Sequence, residues 1–156
     1  MKPADALPPV MIVEDDEDDM LLLARRLQRA GVRNTLLHFA NGGDAFMFLK
    51  PFCASEKTDG PLPCLMFLDV NMPGLSGFDV LAWARQQPAL ANLKIVVLSG
   101  ATEPWDAKIA AKLGADEYLM KFPEGHVLAE VVGRFCPPDR RQVAASRAAT
   151  LESVRP

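Results

Sequence analysis

The sequence predicts a doubly wound α/β domain built on a five-stranded parallel sheet. Short apolar runs rich in β-branched residues alternate five times with longer stretches of helical periodicity, the pattern of repeated β-α units. These runs lack polar alternation, so the strands are expected to be buried on both faces, which requires helices on both sides of the sheet. With 156 residues and 49% hydrophobic content, the chain can build one core without metal or disulfide support.

The first strand is expected at Val10 to Val13. A helix follows from Glu17 to Ala30, with Met20, Leu23, Leu27 and Ala30 on one face and Gly31 as its stop. Thr35 to Phe39 reads as the second strand. Its helix, Gly43 to Phe52, breaks into the polar stretch Ser55 to Pro63. The third strand, Cys64 to Leu68, leads through the Pro73-Gly74 turn into a helix with Phe78, Leu81 and Ala82 facing inward. Ile95 to Leu98 is the fourth strand, followed by a helix from Pro104 to Leu113 that ends at Gly114. The fifth is Glu117 to Met120, and after a last helix, Glu124 to Phe135, Pro137-Pro138 closes the fold.

Composition narrows the function classes. No apolar run approaches the roughly 20 residues of a membrane span, and Met1 to Pro9 lacks the pattern of a secretory signal, so a cytoplasmic protein is expected. The net charge is -3, yet the stretch from Pro137 onward carries four arginines against Asp139 and Glu152. The body is therefore acidic, which argues against nucleic acid as a partner. Cys53, Cys64 and Cys136 are odd in number, with no CxxC and no histidine at ligand spacing. They read as free thiols, buried or half-exposed.

In a doubly wound sheet, ligands bind outside the carboxyl ends of the strands. Those positions hold Glu14-Asp15-Asp16 after strand one, Asp69 and Asn71 after strand three, Ser99-Gly100 after strand four and Lys121 after strand five. Carboxylates gathered at one edge repel unless a cation sits among them, and hard oxygen donors favour Mg²⁺ or a similar ion. A lysine and a hydroxyl across the same crevice suit a phosphoryl group held between metal and ammonium. Taken singly, each feature has an ordinary explanation: helix-dipole complementarity for the acidic run, a turn former in Asp69, a solvated charge in Lys121, a sheet packer in Tyr118. Their joint placement is what points to a site. His38 and His126 have no acidic or hydroxyl companion at motif spacing and read as structural or surface residues.

Four segments resemble the receiver domains of two-component response regulators. Val10-Met11-Ile12-Val13-Glu14-Asp15-Asp16 resembles the family's first strand and acidic pair. Leu68-Asp69-Val70-Asn71-Met72-Pro73-Gly74-Leu75-Ser76-Gly77 is similar to its phosphoacceptor segment. Val97-Leu98-Ser99-Gly100-Ala101 matches its Ser/Thr switch, and Gly114 through Lys121 matches the approach to its lysine. The resemblance runs from about Val10 to Phe135 and implies the flavodoxin-like strand order 2-1-3-4-5. It also implies that Asp69 accepts a phosphoryl group from a sensor histidine kinase. Asp15, Asp69, the backbone carbonyl of Asn71 and, through water, Glu14 would hold Mg²⁺. Lys121 and Ser99 would contact the phosphoryl oxygens, and Tyr118 would turn inward as Ser99 is drawn to the phosphate. The protein would then be a signalling phosphoacceptor that catalyses only its own phosphorylation and dephosphorylation.

Within that reading, residues 1–9 form an N-terminal extension, 10–136 the receiver domain and 137–156 a tail, helical or disordered. About twenty residues after Phe135 are too few for an output domain, so action by contact with a downstream protein or a second copy is expected. The polar loop from Ser55 to Pro63 resembles a stand-alone subgroup that accompanies phytochrome-like sensor kinases. An EF-hand fails for want of glycine at the sixth loop position. A metal-dependent phosphohydrolase of the haloacid-dehalogenase type is the alternative, although Asp16-Glu17-Asp18-Asp19 lacks the last element of that family's motif. Receivers usually carry proline directly after the lysine, whereas here Phe122 intervenes before Pro123. Local preference predicts a trans Lys121-Phe122 bond, with Lys121 still reaching Asp69.

Overall fold

The computed structural model describes residues 7–100 and 104–137. Its elements alternate as expected: β1 (Val10–Val13), α1 (Glu17–Arg29), β2 (Leu36–Phe39), α2 (Gly42–Cys53), β3 (Leu65–Asp69), α3 (Gly77–Arg85), β4 (Lys94–Ser99), α4 (Pro104–Leu113), β5 (Glu117–Met120) and α5 (Gly125–Phe135). A short 3₁₀ turn at Pro88–Leu90 was not foreseen. All strands are parallel, in the order β2-β1-β3-β4-β5. The tail readings for 138–156 and Ala101 of the switch segment lie outside the described residues.

Period-two geometry divides the core between the sheet's two faces. Met11, Val13, Met66, Leu68, Ile95 and Val97 pack with Ala45 and Leu49 of α2, Val80, Leu81 and Ala84 of α3, and Ala110 of α4. Their neighbours Val10, Ile12, Leu65, Phe67, Val96 and Leu98 face α1 through Leu23 and Leu27, and α5 through Leu128, Val131 and Val132. Full burial holds for β1 and β3 and nearly throughout β4, but β2 and β5 are half-exposed because each lies at an edge. In α3 the buried positions are Gly77, Val80, Leu81 and Ala84, while Phe78 and Ala82 are only half-buried.

Two strands run one residue further than their apolar runs. Asp69 pairs with Leu98, and Ser99 pairs with Met120, so the ladder itself holds both polar residues at the strand ends.

The cysteine expectation is corrected. Cys64, just before β3, and Cys136, just after α5, are joined in a disulfide with Cα atoms 5.6 Å apart, and only Cys53 is free. The residues are 72 positions apart in sequence. They meet because α5 runs back across the sheet toward the strands' amino ends, where β3 begins. The bond closes a long loop, so reducing it is expected to destabilise the domain by about 2–4 kcal/mol. Urea unfolding with and without dithiothreitol checks this, as does a count of one thiol rather than three in denatured, unreduced protein.

Candidate functional site

The site lies at the carboxyl end of the sheet. Glu14 and Asp15 leave β1, Asp69 ends β3, Ser99 ends β4 and Lys121 follows β5. Local sequence fixes each approach. Asp16 caps α1 by accepting a hydrogen bond from the Asp19 amide at 3.0 Å, which turns the chain directly after the acidic pair. Ser76 and Asp79 form a reciprocal capping box that opens α3. Gly77 lies so close to β3 that a Cβ there would stand 2.2 Å from the Asp69 carbonyl oxygen and 2.8 Å from Val70 Cα. No side chain fits at that position. Gly74 supplies the left-handed backbone of the Pro73-Gly74 turn, at φ +78°.

The Lys121 ammonium is the hub. Its Nζ lies 2.6 Å from Glu14 Oε2, 3.1 Å from Asp19 Oδ2 and 3.3 Å from Asp69 Oδ2. The other oxygen of Asp69 accepts from the Asn71 amide at 3.1 Å, and Glu14 Oε1 accepts from the Asp16 amide at 3.2 Å. Asp69 is 2% exposed, Glu14 4% and Ser99 not at all. Asp15 stands at the open side.

Burial pushes the Glu14 carboxyl up to about 7, and the Asp69 charge pushes the same way, against hydrogen bonds from Lys121 and the Asp16 amide. Burial also disfavours the charge on Lys121, but Glu14, Asp19 and Asp69 outweigh it and hold the ammonium above its ordinary range. Lysine therefore stays charged at any physiological pH.

Glu14, Asp15 and Asp69 each offer a carboxylate oxygen within 4.8 Å of the others. Asp19 adds a fourth carboxylate, and Lys121 pairs with three of the four, Glu14, Asp19 and Asp69. All donors are hard oxygens, so charge and chemistry both suit a divalent cation such as Mg²⁺. Asn71 is exposed in the loop after β3, beside this group.

Of the expected site residues, Glu14, Asp15, Asp69 and Lys121 come within ion-pair or ligand distance of one another, while Ser99 is placed by its strand and Asn71 by its amide bond to Asp69. The Lys121-Phe122 peptide is cis, which corrects the trans bond expected from local preference. At this turn the Arg26 guanidinium donates to the carbonyls of Phe122 (2.9 Å) and Pro123 (2.8 Å), so tertiary contacts decide what the dipeptide alone would not. Lys121 reaches Asp69 all the same. Asp19 was not foreseen as its partner; the signal available was an acidic run longer than the cap and metal ligands require. Tyr118 lies opposite Val97 and packs against the core between sheet and α4, its hydroxyl buried without a hydrogen-bond partner among the described residues. His38 is structural: its Nε2 lies 2.9 Å from the Glu14 carbonyl oxygen.

The response regulator receiver domain family matches residues 10–132. Response regulator Rcp1 of Synechocystis sp. is 31% identical over 112 residues, covering 72% of this chain and 75% of Rcp1. The transcriptional regulatory protein GltR of Pseudomonas aeruginosa is 32% identical over 123 residues; these are 78% of this chain but 46% of GltR, so the chain spans less than half of that relative. Among solved structures, the Mn²⁺-bound form of Rcp1 superposes with a TM-score of 0.69 at 25% identity, over 83% of this chain and 96% of that one. The bacteriophytochrome response regulator RtBRR gives 0.71 at 25% identity, over 94% and 96%.

Replacing Asp15 with alanine removes one charge from a mutually repelling group. The metal-free variant should therefore melt no lower than the parent protein. Thermal unfolding in EDTA checks this, a fall of more than about 2 °C marking a structural role for the side chain.

Proposed function

The chain belongs to the response regulator receiver family, and from that premise we propose that Asp69 is the phosphoacceptor, charged by a sensor histidine kinase in the cytoplasm. Receiver domains of this family are signalling modules that interact with histidine kinases. The observation that carries the assignment to Asp69 is its position: a buried carboxylate on the last paired residue of β3, 3.3 Å from the Lys121 ammonium and within the three-carboxylate group.

An Asp69 oxygen attacks the phosphorus of the kinase phosphohistidine. The new P–O bond forms as the P–N bond breaks, and the imidazole departs with the electron pair of that bond. A carboxylate approaching an anionic phosphoryl group is repelled, so the chain must supply positive charge. Lys121 gives one such charge and pairs with a phosphoryl oxygen, while the Ser99 hydroxyl donates to another. Asp15, Asp69 and the Asn71 backbone carbonyl would hold Mg²⁺, with Glu14 acting through water; the ion supplies electrostatic stabilisation of the phosphoryl oxygens. The Asn71 amide, bonded to Asp69 Oδ1, fixes the rotation of the carboxylate. The haloacid-dehalogenase alternative finds no support in the family match, and Asp69 stands on the third strand rather than the first.

The output face comprises α4, β5 and α5, because Ser99 and Tyr118 border it and a phosphoryl group biases only what it contacts differently in two states. Trp105, Ile109, Met120 and Phe122 lie exposed there, Trp105 at 67%. Such a surface suits a downstream protein or a second copy of the chain. The likeness to a bacteriophytochrome response regulator supports a sensor kinase of the phytochrome type as the phosphodonor.

Asp69→Asn should reduce labelling by acetyl phosphate and Mg²⁺ to background, since the amide is a poor nucleophile and carries no charge for the metal. Labelling at the parent rate rejects the assignment. Phosphorylation should also increase self-association through the output face. Sedimentation velocity over a wide concentration range reads this directly, and identical profiles for the two forms count against it.

A further inference from the structure

We infer that Arg26 is a positioning residue that sets Lys121 over the phosphoryl site from the neighbouring helix. Nothing in β5 itself does this beyond Lys121: the strand ends at Met120, and the Lys121 amide, donating to the Ser99 carbonyl at 2.9 Å, closes its pairing. Pro123 has no N–H to offer. The next backbone bond is the helical one from the Val127 amide to the Glu124 carbonyl. Between these points the carbonyls of Phe122 and Pro123 both accept from Arg26 Nη1, at 2.9 and 2.8 Å.

Arg26 is half-buried, pairs with no carboxylate among the described residues, and gives both of these side-chain bonds to this turn. Asp19, which takes the other end of the lysine, precedes it by seven residues, two helical turns along the same face of α1. Leu23 lies between them and is buried against the sheet, which anchors that face. One helix face thus holds Lys121 at both ends: Asp19 at the ammonium and Arg26 at the backbone just beyond its Cα.

The inference rests on the phosphoacceptor reading for its effect on rate, but the positioning itself can be read without phosphate. In the full chain, Arg26→Ala should lower the maximal rate of phosphorylation by acetyl phosphate about tenfold. Mg²⁺ affinity, measured by calorimetry, should not fall, because no metal-binding carboxylate is removed and a displaced ammonium only lessens the positive charge beside Glu14 and Asp69. Arg26→Lys keeps the charge and should restore most of the rate; it also serves if the alanine variant folds poorly. In a Lys121→Ala background the Arg26→Ala change should have no further effect, and an equal loss there would show that Arg26 does not act through Lys121. Lysine-selective NMR of the metal-free protein should show the Lys121 side-chain signals shifted by Arg26→Ala. Unshifted signals or an unchanged rate overturn the inference. A shift in the variant, with no phosphorylation of the parent protein, overturns the phosphoacceptor reading instead.

Discussion

One ammonium surrounded by carboxylates governs this domain. Two unit charges of like sign 4.8 Å apart at an effective dielectric of 20 repel by about 3–4 kcal/mol, so Glu14, Asp15 and Asp69 do not gather of their own accord. The sheet holds them there: β1 and β3 are neighbours, their apolar residues are buried on both faces, and the acids occupy the positions at which the apolar pattern stops. Lys121, brought from the far edge strand, offsets part of the repulsion and leaves a deficit of positive charge. The charge of the site consequently suits a cation among the carboxylates.

The fold was largely legible because its signals are local and repeated. Five apolar runs, each followed by a helical period and a turn former, leave few arrangements open. The strand order came by resemblance, since periodicity does not say which strand lies beside which. The edge strands do carry a signal of their position: β2 contains His38 and β5 opens on Glu117, whereas the runs of β1 and β3 are wholly apolar up to the strand end.

The site was legible where it uses strand ends and illegible where it depends on distance between elements. Asp69, Ser99 and Lys121 each follow an apolar run and announce themselves. Asp19 and Arg26 look like ordinary exposed positions of an amphipathic helix, and their engagement with Lys121 and its turn becomes visible only when α1 is laid beside the end of β5. The cis peptide and the Cys64–Cys136 bond escaped in the same way: in both cases partners far apart in sequence override the preference of the residues taken alone.

The contact at Gly77 has a mechanical meaning. With the first residue of α3 pressed against the Asp69 carbonyl and Val70, that helix cannot pivot about its first turn without colliding with the strand that carries the carboxylate. On this flank helix and strand pack backbone against backbone, with no side chain between them to yield. On the opposite flank Lys121 is held by its side-chain ion pairs and by the bond from its amide to the Ser99 carbonyl. Asp69 thus has backbone packed against its carbonyl and a flexible lysine stem reaching its carboxylate.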